Sequence, residues 1–217
     1  MYFEIKGTVE SVTNMHIGGN DDFSLIGGVD NPVIKEVMNG LPYIPGSSFK
    51  GVSRSCLAKI YNKGRVVKCR DDDDEKIIRL FGGSRLVDGR VPRGRLRFED
   101  MFMSNEKELK EKGVAPTLVV VQNTIHPFTG VANPRQMECS TRGAEYDMTI
   151  GYEVQDESQT EEDFRIIKEM LKGVQRHGIG GGTSRSMGKI RIKDITVESM
   201  TEDGYELEEK LQKILEG

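Results

Sequence analysis

Four groups of residues carry the types and spacings that could do chemistry. The first is a glycine run, Gly178, Gly180, Gly181 and Gly182, followed by Thr183, Ser184, Arg185, Ser186 and Lys189. Glycines in a row free the backbone for positive φ and remove the side chains that would hold a ligand at a distance. With hydroxyls, cations and unpaired N–H groups around it, such a loop suits phosphates or a polyanionic backbone. Residues 172–193 hold six Lys or Arg and no acid, in keeping with that reading. A tight helix-to-strand turn is the plainer alternative, but it needs one or two glycines rather than four. No Gly-Lys-Ser/Thr follows at the required spacing, so this is not a P-loop.

The second group is a single acid. Asp30 lies in Gly27-Gly28-Val29-Asp30-Asn31-Pro32, between a flexible pair and a rigid Asn-Pro. That combination fixes a carboxylate on an otherwise mobile loop, either as an Asx-type turn residue or as a catalyst. Asp21 and Asp22 nearby read as solvated. The third group is the histidines His16, His126 and His177, of which a pair could act as general base and acid in ribonuclease chemistry. Each also has a plainer role. His16 in its polar loop would contact RNA, His177 would cap a helix C-terminus, and His126 opens a flexible segment. The fourth group is Lys50 and Arg54, four apart on a helix begun by Pro45-Gly46-Ser47-Ser48. That spacing puts both on one exposed face beside the helix N-terminus, a second place for a phosphate.

Other chemistries lack their signatures. Cys56, Cys69 and Cys139 are odd in number and irregularly spaced, which argues against a disulfide framework. Cys69 and Cys139 with His126 lack the CxxC or HxxxH spacing of a zinc site. Walker, Rossmann and GxSxG motifs are absent, which counts against nucleotide hydrolases, dehydrogenases and esterases.

The elements that must position these residues follow from periodicity. Residues 2–13 read as a strand with Ile5, Val9 and Val12 inward. A Gly- and Asn-rich loop follows, and then a helix over 47–62 with Phe49, Val52, Cys56 and Ile60 as its apolar stripe. A short helix is expected at 74–81, and strands at Arg95–Met103 and Thr117–Ile125 joined by a charged connector. Residues 126–143, with two prolines and no periodicity, should project as a loop or long hairpin. Ala144–Val154 is a further strand. Thr160 to Asp163 resembles a capping box before a helix striped by Phe164, Ile167, Leu171 and Val174 and ending at Arg176-His177. The last strand places Ile190 and Ile192 on one face, and 205–216 adds a short acidic helix, for the surface or for docking a partner. The order strand, helix, strand, strand, helix, strand is α+β and ferredoxin-like.

At 217 residues the chain fits one domain with insertions. It has no apolar run long enough to cross a membrane and no signal-like start, so a cytoplasmic location without membrane contact is expected. The net charge of −4 argues at first against a polyanion partner. Its distribution argues the other way. Residues 41–70 carry seven Lys or Arg and no acid, and residues 79–97 carry six against one Asp. Segregation of this kind leaves a basic surface on an acidic body, as polyanion steering requires.

Seven blocks in register carry a resemblance across nearly the whole chain: HIGG (16–19), IGGVDNPVIK (26–35), GLPYIPGSSFKG (40–51), RLFGG (79–83), NTIHPFTGVANPRQ (123–136), RGAEYDMTIGYEV (142–154) and GIGGGTSRSMGKI (178–190). Together they resemble the repeated backbone subunit of type III-A CRISPR effector complexes, the Csm complex, within the RAMP superfamily. The resemblance implies a ferredoxin-like (RRM-like) βαββαβ palm with an inserted helical subdomain. Its parts would be a single RAMP domain over 1–217, an Asp30 loop over 14–46, a lid over 62–92, a thumb hairpin over 122–143 and an acidic tail over 201–217. Such subunits polymerise along the CRISPR RNA, and the thumb displaces a nucleotide of the guide–target duplex at regular intervals. Each subunit then cuts the single-stranded target RNA beside that position.

Residue by residue, the family's loop aspartate maps onto Asp30, as catalyst and as ligand of Mg²⁺ or another divalent cation shared with RNA phosphate. The guide-binding surface maps onto His16, Ser48, Lys50, Arg54, Arg135 and the loop Gly180, Gly181, Gly182, Thr183, Ser184 and Arg185. Further copies of the chain and the other Csm subunits are the implied protein partners. The segment from Asn62 to Glu75 is short where some relatives carry a zinc-binding insertion, so no structural zinc is carried over. His126-Pro127-Phe128 changes the thumb locally without removing the ANPRQ block. The competing readings are a non-catalytic guide-binding scaffold and a stand-alone precursor-processing nuclease that would lean on His16.

Overall fold

The computed structural model describes residues 1–19, 29–63, 69–86 and 89–216. In chain order the elements are β1 (Tyr2–Ser11), α1 (Gly46–Tyr61), α2 (Glu75–Phe81), β2 (Leu96–Phe98), α3 (Glu106–Glu111), β3 (Thr117–Ile125), β4 (Ala132–Ser140), β5 (Glu145–Glu153), α4 (Glu157–His177), β6 (Ile190–Ser199) and α5 (Tyr205–Glu216). Asp21, Asp22 and the Gly27-Gly28 pair lie outside the described residues.

Alternation builds the main sheet. Phe3, Ile5 and Val9 of β1 are fully buried, as are Tyr146, Ile150 and Tyr152 of β5, while the residues between them turn to the opposite face. The two strands pair antiparallel with Ile5 opposite Ile150 and Val9 opposite Tyr146. β6 joins the far side of β1 and β2 the far side of β5, giving the order β2-β5-β1-β6 with every pair antiparallel. The apolar face is covered by α1 and α4, which also pack on each other. Phe164 of α4 meets Phe3 and Tyr152 edge-on, with ring centroids 6.2 and 5.2 Å away. Burying side chains of this size contributes about 1.5–3 kcal/mol each.

Below the core, Asp163 of α4 is fully buried and charged partners converge on it. Arg79 of α2 reaches it at 2.6 Å, Arg95 at 2.6 Å and the Tyr152 hydroxyl at 2.7 Å. This network ties α2 and the start of β2 to the palm. It also corrects one expectation. α4 starts at Glu157, not after a box at 160–163, and its N-cap is Asp156, whose carboxylate accepts from Ser158 N.

Other expectations need revision. Regular pairing over the strand expected at Arg95–Met103 lasts only three residues; past Phe98 the chain stays beside β5 irregularly, with Glu99 N donating to Thr149 O, Asp147 N to Phe102 O and Ser104 N to Glu145 O. Met101 and Met103 then make isolated bridges to Ile44 and Tyr146. The charged connector contains α3, and Ile60 is 49% exposed while Leu57 takes the inward place. Residues 126–143, expected as a loop or long hairpin, take the hairpin form: 132–140 make β4, which pairs with β3 in a separate two-stranded sheet. The projecting element therefore starts at Thr117 rather than 122. Finally, α5 is not a loose surface helix. Leu211 and Leu215 are buried, and Gln212 and Glu208 take Val197 N and Ser199 N along the outer edge of β6. That closes the edge against strand addition. No helix among the described residues is long and apolar enough to cross a membrane.

Candidate functional site

The base of the hairpin collects the candidate chemistry. Asp30 is exposed, and its Oδ2 accepts the Gln136 N–H of β4 at 2.8 Å. The next residue brackets the same strand: Asn31 N donates to Gln136 O, and Glu138 N donates to Asn31 O. The Asp30 loop thus pairs with β4 much as a short strand would. One carboxylate oxygen is held by a backbone amide, and the other has no partner among the described residues.

His16 docks two residues further along β4, about 7 Å by strand rise. Its Nδ1 lies 2.7 Å from Glu138 O. A carbonyl can only accept, so Nδ1 carries the proton and Nε2 is the ring nitrogen left to face outward. The main chain of His16 is held from the other side, where its carbonyl accepts Gly181 N at 2.8 Å. Here glycine is required. Gly180 has φ +84°, and a Cβ on it would sit 2.3 Å from His16 O. The chain closes again at Gly188, where a Cβ would stand 1.9 Å from Ile179 O. Close packing accounts for several of the glycines, and it uses amides that the sequence suggested were free. Gly178, Ile179, Gly181, Arg185, Met187 and Gly188 all donate to protein carbonyls. Thr183 to Arg185 form one 3-10 turn on the exposed rim, with Arg185 exposed. Gln122 of β3 touches Met187, so the hairpin also rests on this loop.

Glu138 was not singled out from sequence, yet it organises this corner. Its carboxylate is nearly buried and takes Lys35 Nζ at 2.6 Å and Val33 N at 3.2 Å. Burial, the largest influence, pushes its pKa up. The Lys35 ammonium, with the Thr117 hydroxyl and the Val33 amide, outweighs that and holds it below the usual carboxylate range. Its main chain meanwhile serves His16 and Asn31. The only signal in the sequence was an acid in a strand otherwise free of charge after Arg135.

The remaining predicted residues sit on α1, toward the β2 side. Lys50 overlooks a cleft of about 580 Å³ shared with Ser47, Arg93, Arg97 and Glu153. Burial lowers the Lys50 pKa, and the nearby charges of Arg54 and Arg70 lower it further; among the described residues no acid is within 4 Å of its ammonium. Ser48 is half-exposed in the first turn. Two expectations fail here. The N-terminus of α1 already holds a carboxylate, Asp100, which accepts Gly46 N at 2.8 Å. Arg54 does not share an exposed face with Lys50. It is bound to Asp73 at 2.6 Å and also donates to the carbonyls of Arg70 and Gly82. In the isolated chain it fastens the segment before α2.

The fold therefore brings Asp30, His16, Arg135 and the glycine loop together, and leaves Ser48 and Lys50 as a separate basic patch. Arg135 is exposed on β4 beside Gln136. Of the residues weighed for zinc, Cys139 is buried and His126 stands at the hairpin's distal end, where Thr129 N donates to its ring. No group of three or more His, Cys, Asp or Glu stands together among the described residues. Asp30 is thus a single carboxylate. Mg²⁺ is commonly held by one or two carboxylates, with substrate phosphates and water completing the octahedron. An exposed carboxylate with one free oxygen fits a site of that kind.

An antiparallel palm backed by helices, with a projecting hairpin and a glycine-rich basic rim, defines an α+β class of protein. Residues 8–191 match the profile of the RAMP superfamily, and the chain belongs to that superfamily. Within it, the chain is 44% identical over 186 residues to the protein of Streptococcus thermophilus named CRISPR system Cms endoribonuclease Csm3, covering 84% of this chain and 83% of that one. It is 38% identical to the protein of the same name from Enterococcus italicus, covering 94% and 96%. Two solved structures share the fold. The Methanopyrus kandleri Csm3 crystal structure aligns with a TM-score of 0.62 at 20% identity, over 92% of this chain and 78% of that one. A chain of the Type III-B Cmr-beta complex bound to cognate target RNA aligns at 0.65 and 17% identity, and 62% of its length is covered.

Proposed function

We propose that this chain is a backbone subunit of a type III-A CRISPR RNA-guided effector, working in the cytoplasm. It binds CRISPR RNA through its sugar–phosphate backbone and cuts the complementary single-stranded target RNA at regular intervals. Its partners are the guide, the target, further copies of itself and the other subunits of a Csm complex. The Csm3 endoribonucleases named above support this reading. So does the palm, in which two strand–helix–strand crossovers, β1-α1-β2 and β5-α4-β6, interleave in one antiparallel sheet. We read that order as ferredoxin-like.

The single observation that carries the catalytic reading is the carboxylate of Asp30, held by the Gln136 amide midway along β4, its other oxygen without a partner among the described residues. The hairpin enters the guide–target duplex and unstacks a nucleotide, which costs a few kcal/mol. The distortion brings a target 2′-OH into line with its own phosphate. Asp30 either accepts the 2′ proton or would help to hold a divalent ion. When bound, that ion neutralises charge on the phosphate oxygens. Lys50, Arg135, Ser48 and the 180–185 rim, with His16 beneath it, hold backbone without reading bases, because pairing supplies the specificity. Arg54 either contacts RNA after leaving Asp73 or acts only through the segment it fastens. The products are a 2′,3′-cyclic phosphate and a 5′-hydroxyl.

The test assembles wild type and Asp30→Ala with guide RNA and the partner subunits, and follows target binding and Mg²⁺-dependent cleavage together. Binding retained with the regular cuts abolished is the expected result. Cutting at the wild-type rate refutes the assignment of Asp30. A wild-type complex that binds target without ever cutting it makes this a non-catalytic scaffold.

A further inference from the structure

A second basic surface lies behind the glycine loop and is not among the residues assigned above. Lys172 and Arg176, four apart at the end of α4, face Lys189 and Arg191 at the start of β6 across a cleft of about 610 Å³. All four are exposed. No acid lines the cleft among the described residues. Arg191 has only a long contact to Glu10, at 3.4 Å. The other three have no ion pair within 4 Å among the described residues.

The helix dipole accounts for part of this. Cations are favoured in the last turn of a helix, which covers Arg176 and to a lesser degree Lys172. It does not account for Lys189, just before β6, or for Arg191 within it. Like charges four apart on a helix also repel, at a cost of about 0.2–0.5 kcal/mol. A concave surface lined by one sign of charge focuses its field outward.

The edge of β6 adds a neutral donor. α5 covers that edge from Ile195 to Ser199, and Gln175 takes Ile192 N at 3.0 Å. By the alternation of antiparallel pairing, Ile190 turns its N–H to the same outer side, into the cleft. The cleft is also continuous with the glycine loop. Val12 N donates to Lys189 O, and Gly188 N donates to Asn14 O. The segment 12–16 therefore forms one wall running from the cleft to His16 and Gly181.

We propose that this cleft binds a phosphodiester segment of RNA, extending the track that crosses the glycine loop round to the end of α4. The proposal rests on the reading of the chain as an RNA-binding RAMP subunit. The RNA is either unpaired guide or the guide–target duplex, and both present the same phosphates.

The experiment compares the full chain with Lys172→Glu/Arg176→Glu, and with Lys107→Glu/Lys110→Glu on α3 as a control of equal charge. The probes are a labelled single-stranded oligouridylate and a pre-annealed RNA duplex, titrated over a range of salt. Losing two phosphate contacts should lower the log–log salt slope for the single strand by about 1.4 and weaken binding on the order of tenfold near 0.1 M salt. The control should move far less. Lys172→Ala/Arg176→Ala should repeat the change in slope, and melting curves should match wild type because these side chains are exposed. A loss confined to the single strand assigns the cleft to unpaired guide, and a loss with both probes assigns it to the duplex. Slopes and affinities equal to the α3 control overturn the proposal. A wild-type chain that binds neither probe instead sinks the RNA-binding reading beneath it.

Discussion

Asp163→Asn is a nearly isosteric change that tests whether charge truly converges beneath the palm. The native carboxylate is fully buried and faces two guanidiniums, Arg95 with a side chain 6% exposed and Arg79 at 13%. An amide keeps the shape but leaves Arg95 charged, desolvated and short of its counter-ion. The Arg95 Nε is already buried without a partner, so nothing nearby can absorb the loss. Breaking a buried pair from one side costs about 3–5 kcal/mol. At roughly 2.1 cal/mol/K of unfolding entropy per residue, a chain this long loses about 7–11 °C in Tm. Thermal unfolding followed by circular dichroism reads that shift, and urea titration should give a lower midpoint at unchanged slope. Arg95→Met added to Asp163→Asn should recover much of the loss, since the stranded charge goes with it. A single variant melting within about 2 °C of wild type would falsify the claim that these charges are dry.

Three further outcomes follow from the geometry. Gly180→Ala forces a side chain into positive φ and against His16 O, so it should cost on the order of 1–3 kcal/mol and weaken RNA binding; unchanged binding and Tm would mean the loop relaxes freely. Arg54→Ala leaves Asp73 with Asn62 as its side-chain donor, so Tm should fall even without RNA, by the roughly 1–3 kcal/mol of an unsatisfied buried acceptor. A loss of RNA binding at wild-type Tm would instead make Arg54 a direct contact. Glu138, held below its unfolded value, contributes stability that is present above about pH 4.3 and lost as pH falls through its lower folded value. Glu138→Gln should flatten that acid limb and loosen the Asp30 loop, which cleavage by the assembled complex would register as lower kcat at similar target affinity.

Much of the fold was legible in the order of residues because burial leaves a period. β1, β3 and β5 came within two residues of their expected limits, and so did α1 and the end of α4. Their apolar residues recur at two or at three to four, and nothing else produces that pattern. β4 was hidden because both faces of the projecting hairpin are exposed at its outer end, so no alternation was needed there and Pro134 could stand in it. α3 was hidden because a single residue, Leu109, is buried in it. Asp30 and the glycine loop were visible as unusual composition.

Their relation to one another was not visible. The sequence by itself determined the strands and helices with a buried face, where glycine was demanded and where the cations lay. It did so because those preferences are local, set by backbone sterics and by solvent on one side of an element. Only the tertiary structure decided that Asp30 and His16 would dock two residues apart on β4. It also decided that Glu138 would hold both loops from beneath, and that Arg54 would be tied to Asp73 instead of facing solvent. Those partners lie far apart in the chain, and a hydrogen bond between distant residues leaves no period by which to find it.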